Sequence, residues 1–363
     1  MSIMNLSSVP YGNYYVTANG HGGFRSYYDD VYRSTDFTRI FVIKGGPGTG
    51  KSRLMQEVAT AGERNGIAVY RLFCSSDPVS LDGVILERDG VRIAMMDGTA
   101  PHVRDSAVPG VIDETVDLAA FIDRAKILPE RNEILSLMSE KQQLFSLAYR
   151  YLSLAEVAEG HAVSLLSRSI MQRKLDGAIM RILRQIPDTV HTESTVIENG
   201  IGMRGAVRFP NLEKAAKRLT VIGNTLGFSK IFFGSMLRSL AAAEKQYIRI
   251  EAASAKNTTE GIYFPAAQTL YISEDCTAME KDDIKYLNAS RFIDKETVKT
   301  VKSDIKNLLR IKNEAEENAL AAFRSAGEKH FALENIYIAA MDFTAKEKLS
   351  GELIKRILAL FAG

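Results

Sequence analysis

Short apolar runs and longer stretches of helical periodicity alternate along the chain, and the whole arrangement occurs twice. In about the first 115 residues, runs rich in β-branched side chains alternate with helical patterns, most clearly at 40–43, 68–73 and 91–97. This alternation predicts βαβ units and a parallel sheet flanked by helices. From about 127 to 186, and again from 303 to 361, apolar residues recur at steps of three and four. Each of these segments predicts a helical hairpin, with turns at Gly160 and Gly327.

Several short segments recur in the same order after about 180 residues. The recurring pairs are 16–22 with 196–202, 39–43 with 218–222, and 121–123 with 292–294. Their common order predicts a tandem duplication. We therefore expect an α/β protein with two P-loop-like domains, at 1–190 and 191–363, each with a helical hairpin extension. Joined in one chain, the two copies would form an intramolecular pseudo-dimer.

The composition is that of an ordinary globular protein and excludes several other classes. Hydrophobic residues make up 46% of the 363 residues and charged residues 25%, which excludes a disordered or collagen-like chain. The net charge of +2 is too small to indicate binding to nucleic acid, which favours a strongly basic protein. Two cysteines cannot build a disulfide framework, and no apolar run reaches the ~20 residues of a membrane span. Because the first residues also lack a signal-peptide pattern, we expect a soluble, cytoplasmic protein without a membrane partner.

One glycine-rich segment carries the strongest chemical signal. It reads Gly45-Gly46-Pro47-Gly48-Thr49-Gly50-Lys51-Ser52 and fits the phosphate-binding pattern G-x-x-x-x-G-K-[ST] in full. Glycines let the backbone approach phosphate oxygens closely, and the following helix adds its positive end. We expect Lys51 to reach the β- and γ-phosphates of ATP or GTP, and the Ser52 hydroxyl to bind Mg²⁺. The alternative is a glycine-rich turn with an incidental lysine.

Two aspartates follow predicted strands and are the candidate acids of the site. Asp97 ends the run 91–97 and is expected to hold Mg²⁺, through water, beside Ser52; alternatively it opens a turn with Gly98. No glutamate follows Asp97, so the group that would activate water is unassigned. Asp77 follows the run 68–73 and is a candidate base or acceptor ligand, or else the start of a turn with Pro78.

Three further features lie near these motifs and carry weaker signals. His102 and Arg104 follow Asp97 closely, so they are candidates for a position near the γ-phosphate, although His102 also fits a plain loop residue. The run 19–23 is rich in glycine, and it predicts a turn more readily than a second phosphate contact.

The second copy lacks the loop chemistry. Aligned without gaps, Lys230 takes the place of Lys51, while Ser229 replaces Gly50 and Ile231 replaces Ser52. An isoleucine cannot bind a metal, so we expect this half to bind nucleotide weakly or not at all. It could instead supply an arginine finger to the first site, from Arg204 or Arg238.

Three motifs together resemble those of a family of bacterial tandem P-loop ATPases. They are Gly-Gly-Pro-Gly-Thr-Gly-Lys-Ser at 45–52, Cys-Ser-Ser-Asp-Pro-Val-Ser-Leu-Asp-Gly at 74–83 and Asp-Gly-Thr-Ala-Pro-His at 97–102. The resemblance covers essentially the whole chain and implies two nucleotide-binding-like halves. Members of the family often keep an intact loop in the second half, and this sequence departs from that pattern. The resemblance supports nucleotide binding and supplies no substrate.

The sequence leaves three functions open. The leading hypothesis is a Mg²⁺-dependent ATP-binding protein that hydrolyses ATP slowly in its first half, with Lys51, Asp97 and Asp77 as the catalytic candidates. The second is a kinase that transfers the γ-phosphate to a nucleoside or another small molecule. The third is a non-catalytic nucleotide-sensing scaffold, which the degenerate half and the long helices suggest.

Overall fold

The computed structural model describes residues 6–101, 103–277 and 284–362, which form two six-stranded sheets with flanking helices and two small hairpins. The strands of the first half are β1 (Asn13–Tyr15), β2 (Thr17–Gly20), β3 (Gly23–Ser26), β4 (Arg39–Lys44), β5 (Ala68–Phe73), β6 (Leu81–Arg88), β7 (Val91–Asp97) and β8 (Asp113–Asp117). Those of the second half are β9 (Thr192–Val196), β10 (Asn199–Gly202), β11 (Gly205–Arg208), β12 (Arg218–Ile222), β13 (Gln246–Glu251), β14 (Thr259–Phe264), β15 (Thr269–Ser273) and β16 (Ile284–Leu287).

The helices also repeat in kind and order. In the first half they are α1 (Tyr28–Val31), α2 (Lys51–Arg64), α3 (Arg124–Ile127), α4 (Arg131–Ser167) and α5 (Gln172–Leu183). In the second half they are α6 (Asn211–Ala215), α7 (Phe228–Leu240), α8 (Lys295–Lys299), α9 (Lys302–Ala340) and α10 (Phe343–Ala359). The structure is therefore an α/β protein with two similar halves. Within the described ranges, no helix is both long enough and apolar enough to cross a membrane.

The two sheets share one strand order, and one strand of each runs against its neighbours. The orders are β1-β5-β6-β7-β4-β8 and β9-β13-β14-β15-β12-β16. β6 and β14 are antiparallel to both neighbours, so the sheets are mixed and the prediction of parallel sheets is wrong in this respect. The short connections explain the difference, because only residues 74–80 join β5 to β6 and only Asp89-Gly90 joins β6 to β7. A parallel crossover needs a dozen or more residues.

The long helices do not fold back into hairpins. Gly160 lies inside the continuous 37-residue α4, and Gly327 lies inside the 39-residue α9, so the predicted turns at these glycines are wrong. Instead, α4 packs along α9 of the other half in antiparallel fashion. Ala148 and Leu152 meet Phe323 near the middle of the pair, and Leu137 meets Leu333 nearer the start of α4. Apolar side chains at helical spacing thus pack against the partner helix and not against a hairpin of their own half.

Each half also places its last helix on the other half's sheet. Leu175 and Ile179 of α5 are buried against Phe232 of α7, in the core of the second half. In the same way, Leu353 and Ile357 of α10 are buried in the core that α2 forms with the first sheet. A further core cluster contains residues of both halves, including the pair Tyr15 and Ile197 that forms an isolated antiparallel bridge. The halves are therefore interlocked through their helices and through a shared core.

Two hairpins complete the exchange between the halves. The hairpin β2–β3 contains the glycine-rich run 19–23, and its His21 N–H donates to the Ser254 carbonyl of the second half at 2.8 Å. The hairpin β10–β11 does the converse, because the Met203 N–H donates to the Ser76 carbonyl of the first half at 2.8 Å. The matching segments 19–22 and 199–202 therefore lie in interface hairpins, and the turn interpretation of 19–23 is confirmed.

Candidate functional site

The glycine-rich loop, residues 45–52, connects β4 to α2 and contains two left-handed glycines. Gly48 and Gly50 have φ values of 71° and 84°, a region in which other residues pay roughly 1 kcal/mol or more. Thr49 holds the turn from inside, because its Oγ1 donates to the Gly46 carbonyl oxygen at 2.8 Å. Gly50 then caps the 14-residue α2, whose first N–H groups lack partners within the helix. This geometry suits an anion at the start of α2.

Lys51 lies inside this loop and reaches Asp97. Its Nζ donates to the carbonyl oxygens of Gly45 and Gly46, at 2.8 Å each. The same Nζ lies 3.6 Å from Asp97 Oδ2, and both side chains are largely buried. The sequence separates these two residues widely, but β4 and β7 are parallel neighbours and Ile43 pairs with Asp97. The structure thus brings Asp97 to the glycine-rich loop through Lys51, a contact that the sequence did not predict.

The surroundings of Asp97 favour its protonated form more than water does. Burial raises the pKa of Asp97 above its usual value, while the nearby charge of Lys51 lowers it and that of Asp82 raises it. The Thr99 N–H donates to Asp97 Oδ1 at 2.8 Å, and the Thr99 hydroxyl bonds to the same oxygen. One carboxylate oxygen is therefore tied to its own turn, while the other faces Lys51. Asp97 thus opens a turn, as one interpretation has it, and also contacts Lys51, while its role as a ligand of Mg²⁺ stays a prediction.

Ser52 connects the loop to the start of β6. Its Oγ accepts a hydrogen bond from the Leu81 N–H at 2.8 Å, and the next residue is the buried Asp82. The sequence analysis did not single out Asp82 as a site residue, although it lies in the second motif of the family resemblance. In the described part of the chain, no group of three or more His, Cys, Asp or Glu side chains is arranged to hold a metal. Mg²⁺ commonly uses one or two protein oxygens with water and phosphate, so Ser52 and Asp97 remain a chemically suitable pair.

Asp77 has a structural partner from the other half. It lies in the turn that joins β5 to β6, and the strand before it ends at Phe73 as predicted. Asp77 Oδ1 accepts from Arg204 Nε at 2.6 Å, and Asp77 Oδ2 accepts from the Ser80 hydroxyl at 3.3 Å. Among the residues described, no hydrogen bond or ion pair joins Asp77 to Lys51, Ser52 or Asp97. The structure thus supports the turn interpretation of Asp77 and adds an ion pair across the interface.

The two predicted arginine fingers differ in position. Arg204 contacts the first half through Asp77, and its guanidinium also lies over the Phe331 ring, 4.8 Å from the ring centroid. Arg238 donates to Ser235 Oγ of its own helix α7, at 2.8 Å. Arg104 donates to the Ser34 hydroxyl and to the Tyr32 carbonyl oxygen. His102 lies outside the described residues.

Helix α9 of the second half covers the outer side of the glycine-rich loop. A Cβ atom at Gly48 would lie 2.6 Å from the Glu334 carbonyl oxygen and 3.1 Å from Ile338 Cγ1. A Cβ atom at Gly46 would lie 2.8 Å from Cε1 of Tyr337. The small size of these glycines is therefore needed for the helix to approach as well as for the turn. Sequence reasoning missed these contacts because α9 lies almost 300 residues further along the chain.

Glu334 places a carboxylate beside the loop. A hydrogen bond from His330 lowers the pKa of Glu334, and the charge of Lys51 and the backbone amide of Gly48 lower it as well. His330 Nε2 lies 3.5 Å from Glu334 Oε1. Burial acts in the opposite direction but does not prevail. An ionised side chain from the second half thus interacts with the groups that the sequence assigns to phosphate.

A lysine from a distant helix also approaches the loop, and a second lysine lies within the electrostatic range of Glu334. Lys346 of α10 is almost fully buried, and its Cε would lie 3.3 Å from a Cβ atom at Gly50. Lys141 of α4 is partly buried, and burial lowers its pKa while the charges of Cys74 and Glu334 raise it. Neither lysine belongs to a recognisable motif, so only the packing of the helices in the structure identifies them.

In the second half, the connection between β12 and α7 differs from the ungapped alignment. Gly227 caps α7 with a φ of 85°, as Gly50 caps α2. Phe228 therefore begins its helix where Lys51 does, and the predicted equivalence of Lys230 with Lys51 is wrong. The same correction makes Ser229, and not Ile231, the counterpart of Ser52. The reason is that seven residues separate Ile43 from α2, whereas five separate its counterpart Ile222 from α7, so the alignment without gaps shifts the helix by two residues.

With the corrected alignment, the second loop still lacks charged residues at the positions of Lys51 and Asp97. Ser273 pairs with Ile222 as Asp97 pairs with Ile43, so a serine stands at the position of the acid. Its hydroxyl donates to Ser229 Oγ at 3.0 Å. Asn224 Oδ1 accepts from the Ser229 amide at 2.9 Å and from its hydroxyl at 2.7 Å. A neutral hydrogen-bond network thus takes the place of the lysine and aspartate of the first half.

Comparison with known proteins adds no relative to this description. No protein-family model matches the chain. No curated protein matches it, and no solved structure does. The resemblance to tandem P-loop ATPases therefore stays a prediction that depends on the three sequence motifs.

Proposed function

We propose that the glycine-rich loop at 45–52 binds a nucleoside triphosphate, ATP or GTP, together with Mg²⁺, and that the first half hydrolyses it slowly. The observation that carries the proposal is the arrangement of Lys51, which joins the left-handed loop to Asp97 at the end of the neighbouring strand. A glycine turn with an incidental lysine would not require a buried acid at that place. The family resemblance supports the same class of function.

The side chains of the loop would each perform a separate task. The amides around Gly48 and at the start of α2 would bind phosphate oxygens, and Lys51 would turn from the loop carbonyls toward the β- and γ-phosphates. Ser52 and, through water, Asp97 would hold Mg²⁺, which neutralises charge on the phosphates. Because Gly98 follows Asp97, and Asp77 is already paired with Arg204, the residues described offer no evident base at these positions. Because no base at these positions activates the attacking water, we expect hydrolysis to be slow.

A small-molecule kinase is the second candidate, and one cavity favours it. The cavity measures about 470 Å³ and lies between α1 and the loop after β7. Tyr28 and Tyr32 line it; burial raises the pKa of both phenols, and the charges of Asp82 and Asp97 raise it further. Arg33 and Arg104 line the cavity together with Asp29 and Asp105, so a polar acceptor that both donates and accepts hydrogen bonds, such as a nucleoside, would suit it.

Measurement of ADP release with and without acceptors tests the proposal. Release in the presence of Mg²⁺ and ATP alone supports the hydrolase, and release only after addition of a nucleoside mixture supports the kinase. Lys51→Ala should lower either rate at least about 100-fold, because it removes a charge that stabilises the transferring phosphoryl group. Lys230→Ala is the matched control, since Lys230 lies in the first turn of α7 and pairs with Glu159. An unchanged rate in Lys51→Ala would contradict both enzymatic functions.

We also propose that the chain works in a reducing, cytoplasmic setting as an internal pseudo-dimer. Cys74 and Cys276 are both free thiols, which suits such a compartment. The interlocked halves suit a single working site that both copies build.

A further inference from the structure

Two segments that are far apart in the chain meet at one end of the second half. Ile170 and Ile293 form an isolated antiparallel bridge, which joins the end of α4 to the start of α8. The segment 168–184 contains α5, and the segment 291–310 contains α8 and the start of α9. Apolar residues of both segments are buried in one core cluster, so the two lie together. We call these two segments the basic end.

The basic end holds far more positive charge than the chain as a whole. It contains eleven basic and four acidic residues, a net charge of +7 against +2 for all 363 residues, so the rest of the chain is net negative. All eleven basic side chains are exposed. In the first segment they are Arg168, Arg173, Lys174, Arg181 and Arg184. In the second segment they are Arg291, Lys295, Lys299, Lys302, Lys306 and Arg310.

Few of these cations have an acidic partner. Among the described residues, only Lys299 and Arg310 of the eleven form ion pairs, with Glu296 at 2.8 Å and with Glu314 at 2.5 Å. The other nine side chains therefore present unpaired positive charge to solvent. Such a concentration of like charge repels itself and destabilises the isolated protein.

The first half supplies a comparison with the same fold. Its bridge between Ile122 and Met341 repeats the bridge at the basic end, so the segments 120–139 and 339–355 are the counterparts. These two segments contain six basic and six acidic residues and have no net charge. The fold is thus built at this place without an excess of charge. We conclude that packing does not require the excess, which is what a binding surface for an anionic partner would have.

We propose that the basic end binds the phosphodiester backbone of nucleic acid, DNA or RNA, without reading its sequence. Lysine and arginine side chains that neutralise phosphates release condensed counterions, and this supplies affinity without contacts to the bases. The small net charge of the whole chain conceals such a surface because it averages over both halves. The proposal does not depend on nucleotide binding by residues 45–52.

An anionic membrane fits this surface less well than nucleic acid does. A helix that binds in the membrane interface buries an apolar face there. At the basic end, the apolar faces are already used inside the protein, because Leu175 and Ile179 of α5 and Ile305 of α9 are buried. Both segments are described throughout, and Met180 is the only large apolar side chain in them that is exposed. Contacts to phosphate alone match this composition.

The test is binding of the full chain to a labelled DNA duplex and to a labelled single-stranded RNA, both of mixed sequence, measured by fluorescence anisotropy. The affinity for the duplex should fall by about 100-fold between about 50 and 200 mM KCl if about four phosphates are neutralised. The double variants Arg181→Glu/Arg184→Glu and Lys302→Glu/Lys306→Glu should each weaken binding at least about tenfold at intermediate salt, because phosphate contacts are lost.

The matched control is Lys348→Glu/Lys355→Glu, which makes the same change of charge on exposed positions of α10, the counterpart of α5. It should alter the affinity less than about threefold, because salt screens charges on the other half. Binding to neither nucleic acid, or an equal loss in the control and in both double variants, would overturn the proposal. Tighter binding to vesicles that contain phosphatidylserine than to DNA or RNA would also overturn it. Thermal unfolding identifies a variant that has lost its fold, in which case the other double variant decides.

Discussion

At the scale of single residues, the site combines groups that the sequence identifies with groups that only the fold brings in. The eight residues from Gly45 to Ser52 and the acid Asp97 could be predicted, because a local pattern and the end of an apolar run mark them. Asp82 was missed although it lies in the second motif of the family resemblance. Glu334 could not be predicted, because no short motif marks a carboxylate that tertiary structure brings near a loop. The error at Lys230 has another cause, since repeats align correctly only when their loops have equal length.

A residue-scale prediction concerns Glu198, which is fully buried near the interface between the halves. Burial raises the pKa of Glu198 from 4.5 to about 7, although the Leu212 amide and Arg208 lower it. Between pH 4.5 and pH 7 the folded protein therefore keeps a proton on Glu198 that the unfolded chain has lost. The contribution of Glu198 to stability is fully present below pH 4.5 and is lost as the pH rises through 7. Between pH 5 and pH 8 this effect lowers the free energy of unfolding of the parent protein. In Glu198→Gln the decrease over the same range should be smaller than in the parent protein, by up to about 3 kcal/mol.

Urea titrations monitored by circular dichroism at several pH values measure this difference. Glu317→Gln, which changes an exposed glutamate, should keep the pH dependence of the parent protein. An identical pH dependence in Glu198→Gln and the parent would show that Glu198 stays ionised in the folded state.

At the scale of elements, the exchange of the last helices gives each sheet a cover from the other half. Leu353 of α10 is 1% exposed and packs in the same core as Leu54 and Val58 of α2. Leu353→Ala should therefore lower the free energy of unfolding by about 2–5 kcal/mol, through lost burial and a residual cavity. Leu135→Ala provides a comparison, because Leu135 is 50% exposed on α4 and its loss should change stability by about 0.5 kcal/mol or less. Equal effects of the two substitutions in urea unfolding would contradict the packing of α10 on the first half.

The elements themselves were partly predictable from the chain. The strands at 40–43, 68–73 and 91–97 and the helical character of 127–186 and 303–361 follow from apolar periodicity, and the structure confirms them. The direction of β6 was missed, although Asp89-Gly90 is a strong hairpin signal between two apolar runs. The partners of α4 and α9 were missed because an amphipathic face reveals that a helix packs, but not against which element.

At the scale of the whole molecule, two similar halves share helices, hairpins and one core cluster. Division of the chain between residues 190 and 191 would keep each sheet intact. It would remove α10 from the first half and α5 from the second. We predict that residues 1–190 and 191–363, produced separately, each lack a cooperative thermal transition, and that mixing them restores one through association. Circular dichroism and co-purification test this expectation. A cooperative transition in residues 1–190 alone, at the temperature of the full chain, would show that the exchange is dispensable.

The differences between the two similar halves are the reason why we propose a single nucleotide site per chain. The first loop keeps Lys51 and Asp97, whereas the second has Phe228 and Ser273 at the matching places and closes on Asn224. The second half, which lacks these charges, contributes α9, and this helix packs over the glycine-rich loop of the first half.

The most direct test of this account is a calorimetric titration of the full chain with ATP in the presence of Mg²⁺. The account predicts one binding site per chain, which Lys51→Ala abolishes and Lys230→Ala preserves. Two sites per chain, or binding that survives Lys51→Ala and disappears in Lys230→Ala, would contradict it.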